Sequence, residues 1–253
     1  MRRSRSLSLD DITAYVKKNV GVFHENRLRS LQGLKLNSVI PRKNPYLFKA
    51  KHILSANDFV KLILDAHLSS QEETIFGDFL EGLSIHVCSK VYGGRKSSAE
   101  GIDLELEKGG NRYIVAIKSG PNWGNSSQIR KMREDFKRAK KIIRTSAPST
   151  ADENIVAVNG CCYGRDSSPD KGDYFKLCGQ RYWEFISGRC DLFTTIIEPL
   201  GAKAKEKNEK FVRAYSRMIN KFTASFIRDF CIDGRINWEG IVKFNSAVER
   251  SDI

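Results

Sequence analysis

Asp103 sits in a segment, Ile102 to Glu107, that alternates apolar and acidic residues, and Lys118 closes the apolar run Tyr113 to Ile117 fifteen residues later. Strict alternation predicts a half-buried strand, and the apolar run predicts a central one. Lys108-Gly109-Gly110-Asn111 between them supplies a turn, so the two strands form a hairpin that brings a carboxylate and an ammonium to one end of a sheet. Asp103 and Glu105, two apart, share a strand face, and such a pair suits a hard divalent cation through oxygen ligands. A cation there would polarise a phosphate and lower the pKa of a bound water, while Lys118 neutralises charge that develops in the transition state. That combination is what phosphodiester hydrolysis requires. A surface ion pair fits the same two residues equally well.

The elements that must position these groups follow from periodicity. Ser8 followed by Asp11 fits a capping pattern for a first helix with Ile12, Tyr15 and Val16 on its apolar face. Phe59, Val60, Ile63 and Leu64 predict a helix over 55–67, capped by Ser55 or Asn57, and Phe76, Phe79, Leu80 and Leu83 predict another over 71–83. Asn44 to Phe48 reads as an extended connection, because Pro45 disfavours helix before it. Ile85 to Val91 reads as a strand ending in a turn at Gly93-Gly94. Asn125 or Ser126 opens a helix to about Ile143, with Ile129, Met132, Phe136 and Ala139 on one stripe, and Asn154 to Asn159 reads as a further buried strand. From Gln180 on the pattern is mostly helical. The fold class is therefore α/β, a mixed central β-sheet flanked by helices, with additional N- and C-terminal helices. Its expected segments are a basic, mostly helical region (1–68), a catalytic core (69–200) and a C-terminal helical region (201–253), together one compact domain.

Charge narrows the partners. The 253 residues carry 43 Lys and Arg against 30 Asp and Glu, a formal net charge of +13, which points to a polyanion and to nucleic acid first. The surplus concentrates in 1–51, 123–144 and 203–221. No apolar stretch approaches a membrane span, and the basic start lacks the apolar segment of a secretory signal, so a reducing, cytoplasmic location is expected. The six cysteines show no Cys-x-x-Cys pair and the four histidines no ligand spacing, so they read as ordinary buried and surface residues.

Gly101-Ile102-Asp103, a short hairpin, Ile117-Lys118 and then a basic helix resemble the PD-(D/E)XK nuclease superfamily. The runs Lys43 to Phe48, Lys118 to Gln128 and Gly179 to Gly188 resemble bacterial type II restriction endonucleases, over roughly residues 40–215. The resemblance implies a restriction-endonuclease-like core, Mg2+ with Mn2+ as substitute, sequence-specific cutting of double-stranded DNA, a homodimer and a cognate DNA methyltransferase acting on the same site. Asp103 takes the place of the metal-binding aspartate and Lys118 that of the motif lysine. The motif's second acid falls on Ala116, so that acid has migrated, the chain is a natural inactive DNA-binding relative, or the acid was replaced. Glu81, in Gly77-Asp78-Phe79-Leu80-Glu81, is the first candidate for a migrated acid and Glu73 the second; Glu134 and Asp135 are others. The carbonyl of Ile117 is an expected metal ligand and Glu105 an auxiliary one. A structure-specific repair or recombination nuclease is the nearest competing enzyme.

DNA contacts are expected from Lys96 in the loop before the hairpin and from Ser119, Asn122, Trp123, Asn125, Ser126 and Ser127, where backbone amides at a helix N-terminus face a phosphodiester. Gln128 is either a site residue or the partner of Asn125 in a capping box, and the whole stretch also reads as a turn plus an N-cap. Arg130, Lys131, Arg133, Lys137 and Arg138 on the following helix are expected to position the duplex through phosphates, and Arg165 in the loop Tyr163 to Lys171 to reach bases.

Overall fold

A computed structural model of the chain describes residues 7–146 and 154–248; Arg2, Arg3 and Arg5, part of the basic N-terminal segment, lie outside the described residues. The chain divides into two compact units. One comprises the described residues up to Val20 together with Phe76–Ala202, the other Gly21–Ile75 and the described residues from Lys203.

The first unit is built on a five-stranded sheet in the order β1-β2-β3-β4-β5, with β1 (Arg95–Lys96), β2 (Leu104–Lys108), β3 (Asn111–Lys118), β4 (Ile155–Cys161) and β5 (Phe175–Cys178). β1, β2 and β3 pair antiparallel, and β3, β4 and β5 pair parallel, so the expected mixed sheet is present with β3 at its centre. Successive side chains of β3 serve opposite faces. Val115 and Ile117 join the cluster formed with α4 (Ala56–Tyr92) and α6 (Gln180–Ser187), while Ile114 and Ala116 pack with Met132, Phe136 and Ala139 of α5 (Ser126–Ser146). α1 (Leu9–Gln32), whose Ser8 hydroxyl accepts from the Asp11 amide, adds Ile12 and Val16 to the first cluster.

The expected strand over Ile85 to Val91 is instead the last part of α4, which continues unbroken through the two helices read separately before it. Leu83, Ser84, Val87, Cys88 and Val91 are the buried positions, a spacing of three and four residues that only a helix lines up on one face. Ser55 caps its start through the Asp58 amide, and Gly93, with φ +69°, ends it, Gly94 donating back to the Cys88 carbonyl. The glycine pair does turn the chain, but it ends a helix, not a strand.

The second unit contains α2 (Leu36–Val39), α3 (Pro45–Ala50), α7 (Ala204–Phe230), α8 (Trp238–Ser246), the hairpin β6 (Cys231–Ile232) and β7 (Arg235–Ile236), and parts of α1 and α4. Its core sets Phe59 edge-to-face with Phe48 and Trp238 and at a tilt to Phe226. The connection expected to be extended at 44–48 is helical from Pro45: Asn44 accepts from the amides of Tyr46 and Leu47, and Pro45 occupies the first helical position, where its missing N–H costs nothing. Proline restricts the residue before it, not those after.

Candidate active site

Asp103 lies immediately before β2, where its amide donates to the Val115 carbonyl and its Oδ2 accepts from the Ile117 amide at 2.6 Å. The carboxylate is thereby fixed to the end of β3. Burial raises its pKa above the ordinary aspartate value; the Ile117 hydrogen bond opposes that shift, and the negative charge of Glu81 adds to it against Lys118 and Lys96. Those four side chains share one electrostatic environment.

The loop that delivers Asp103 is braced from behind. Gly101 has φ +76°, and a Cβ on it would stand 2.4 Å from Oδ2 of Asp135, so only glycine allows this approach. Asp135 is buried and bound by Arg138 at 2.6 Å and Lys131 at 3.2 Å, both of which also reach Glu100. Asp135 therefore supports the loop and is committed to its own cations. Glu134 is exposed on the same helix.

Glu81 projects from α4 and pairs with Lys96 of β1 at 3.2 Å. Glu73 is exposed on an earlier turn of α4, in the part of that helix that belongs to the second unit. Glu105 is engaged elsewhere too. Its Oε2 accepts from Arg95 and Arg112, each at 2.9 Å, and its Oε1 from the Ser97 hydroxyl at 2.7 Å. Burial acts to raise its pKa, but the bonds from Arg112 and Ser97 and the charge of Arg95 prevail and hold it below the usual glutamate value. Arg95 faces it across the β1–β2 pair, and Arg112 lies diagonally across β3.

Lys118, at the end of β3, carries its ammonium over the indole of Trp123, 5.2 Å from the ring centroid. The indole Nε1 donates to Oδ1 of Asn159 at 3.1 Å, and Nδ2 of Asn159 donates to the Ala116 carbonyl at 3.2 Å. Asn159 is 1% exposed and pairs in register with Ala116 across β3 and β4. It did not stand out in the sequence, where its one signal was a lone amide ending the apolar run Ile155 to Val158. Ala116 itself is 1% exposed and packs with Ile114, Met132 and Phe136.

From Ser119 the chain turns tightly beside the end of β4. The Ser119 carbonyl accepts from Tyr163, and a Cβ on Gly120 would lie 2.3 Å from the Tyr163 ring. Asn122 is exposed. Asn125 Oδ1 accepts from the Gln128 amide and the Ser127 hydroxyl, while Gln128 Oε1 accepts from the Asn125 amide, a reciprocal capping box that takes up both side chains. Ser126 is exposed beside it. Beyond this cap α5 sorts its cations: Lys131, Arg133 and Arg138 are ion-paired, whereas among the described residues Arg130, Lys137, Lys141 and Arg144 are exposed with no ion pair. At 3.6 residues per turn those four fall within about 60° of arc and span about 21 Å. Arg165 is exposed in the β4–β5 loop, also without an ion pair among the described residues.

A mixed sheet flanked by helices, with a strand-end aspartate and lysine converging beside a helix glutamate, is the architecture of the restriction-endonuclease-like nucleases. The family model for type II restriction endonuclease EcoO109I matches residues 10–208, and the chain belongs to that family of site-specific deoxyribonucleases. A comparison with curated proteins finds no match. No helix among the described residues is long and apolar enough to cross a membrane.

Proposed function

We propose that the chain is a divalent-metal-dependent endonuclease that hydrolyses double-stranded DNA at a specific sequence, with Asp103, Glu81 and Lys118 as its reacting centre. The observation that carries the reading is the Asp103 carboxylate locked to the Ile117 amide at the end of β3 that Lys118 closes, with Lys96, the ion-pair partner of Glu81, facing Leu104 next to it across β1 and β2. Glu81 would then take over the role of the motif's missing second acid.

The donor set fits a hard cation. Among the described residues no three His, Cys, Asp or Glu gather to enclose a metal, but magnesium characteristically binds through one or two carboxylates plus water and phosphate oxygens. Asp103 and Glu81, with the Ile117 carbonyl, would hold it. When bound, such a cation polarises the phosphate and supplies a water of lowered pKa. In the hydrolysis a water oxygen bonds to phosphorus, the phosphorus–oxygen bond to one deoxyribose breaks, and the departing oxygen takes a proton. Lys118 contributes its fixed positive charge to the phosphoryl oxygens as negative charge accumulates there. Lys96 balances Glu81 when DNA is absent and would turn to phosphate when it is present. Ser119, Asn122, Ser126 and Ser127 border the phosphate path, Arg130 and its unpaired neighbours on α5 follow the backbone, and Arg165 reaches a groove.

Cutting both strands of a symmetric site calls for two such centres related by a twofold axis, so the acting form is a homodimer, and a methyltransferase of the same specificity would protect host DNA. The test is Lys118→Ala in a magnesium-dependent digest of unmodified plasmid. Loss of discrete fragments, with binding measured without divalent cation retained, is the expected result; continued cutting overturns the assignment.

A further inference from the structure

We propose that Trp123 is a positioning residue for Lys118, its indole face holding the ammonium in place. The inference rests on the role assigned to Lys118 above.

Lys118 and Ala116 are two apart on β3 and share a strand face. On that face Ala116 contributes only a methyl group, and Trp123 packs against the same cluster as Ala116. The ring is held at a second point: Nε1 is tied to Asn159, and Asn159 is tied to the Ala116 carbonyl, so the strand that carries Lys118 also orients the indole beneath it. Asn159 is a buried amide with both ends of its side chain used. Such a bond network fixes a ring plane, whereas apolar packing alone would tolerate rotation. The ammonium thus faces the negative face of an aromatic quadrupole, which restrains it without neutralising it. The indole carries no formal charge, so the ammonium stays available to a phosphoryl oxygen.

The small residues around this pair follow the same logic. Gly120 admits the Tyr163 ring, and Gly164, with φ +91°, lies against Pro121, so the turn between Lys118 and Trp123 is closed tightly enough to return the indole over its neighbour.

The test separates the π face from the bulk of the side chain. Site-specific incorporation of tryptophan with increasing ring fluorination at position 123 weakens attraction for a cation with little change in size. The single-turnover cleavage rate should fall stepwise, reaching about tenfold for the most fluorinated ring, given a cation–π attraction of order a kcal/mol. DNA affinity without divalent cation and thermal stability should stay constant across the series. Trp123→Phe, which keeps a ring but loses the Asn159 bond, should recover more rate than Trp123→Leu. Lys118→Met provides the reference. If it abolishes cleavage while the fluorinated series is flat, Trp123 acts only through packing and this inference fails alone. If Lys118→Met cuts normally, the assignment of Lys118 fails, and with it the reason for Trp123.

Discussion

Ala116→Glu restores the motif acid on paper, and the structure makes it a destabilising change. The Ala116 methyl is 1% exposed among Ile114, Met132 and Phe136, with Asn159 paired in register beside it. The extra carboxymethyl group must displace close-packed side chains, at about 1–3 kcal/mol, and a carboxylate left there without full solvation adds several more, for a total of about 4–6 kcal/mol. Total stabilities are about 5–15 kcal/mol, and each kcal/mol moves the Tm of a chain of 150–250 residues by about 2–4 °C, so Tm should fall by about 10–20 °C. Calorimetry on Ala116→Glu beside Ala116→Gln isolates the charge. A buried glutamate has a raised pKa, so its penalty is full at neutral pH and fades as pH falls towards the unfolded value of about 4.3. The Glu and Gln variants should therefore converge on acidification. Plasmid cleavage by the Glu variant should not exceed that of the parent. A Glu variant that melts like the parent and cuts tenfold faster would show position 116 open to the active site, and the packing argument would be wrong.

Two further outcomes bear on the charges. Replacing Arg130, Lys137, Lys141 and Arg144 with glutamine should flatten the plot of log affinity against log salt by about 0.9 per residue, or ~3.6 together, whereas replacing Lys131 and Arg138 should leave the slope alone and lower Tm by stripping Asp135 of its partners. An unchanged slope in the fourfold variant would remove α5 from the DNA path. Asp103→Asn should abolish cleavage yet raise Tm at pH 7, because burial holds the folded pKa of Asp103 above its unfolded value. The folded chain then binds the proton more tightly, so the cost of the charge appears as pH rises from 3.8 and is complete once the pH has passed the raised folded pKa. A fall in Tm at pH 7 would show that the partners of Asp103 outweigh its burial.

The hairpin and α5 were legible because β2 alternates apolar and acidic residues, β3 is a short apolar run, α5 repeats at 3.6, and the turn and the Asn125–Gln128 box are local. Where periods conflict, burial decides. Ile85 to Val91 offers a strand-like run, but Ser84, Val87, Cys88 and Val91 are the positions that face the sheet, and α4 extends accordingly. The site was legible only to the extent that it is local. Asp103 and Lys118 come to the same end of the sheet because a hairpin joins their strands. Whether Glu105 could accompany Asp103 depended on Arg95 and Arg112, which approach from flanking strands and occupy it first. The same non-locality hid Asn159, whose side chain matters only because parallel pairing of β3 with β4 sets it beside Ala116 and within reach of the Trp123 indole. Residues chosen for chemistry by type and spacing were thus sorted by their neighbours: a carboxylate with two arginines is structural, while one held by a single backbone amide next to another carboxylate still has an oxygen to offer.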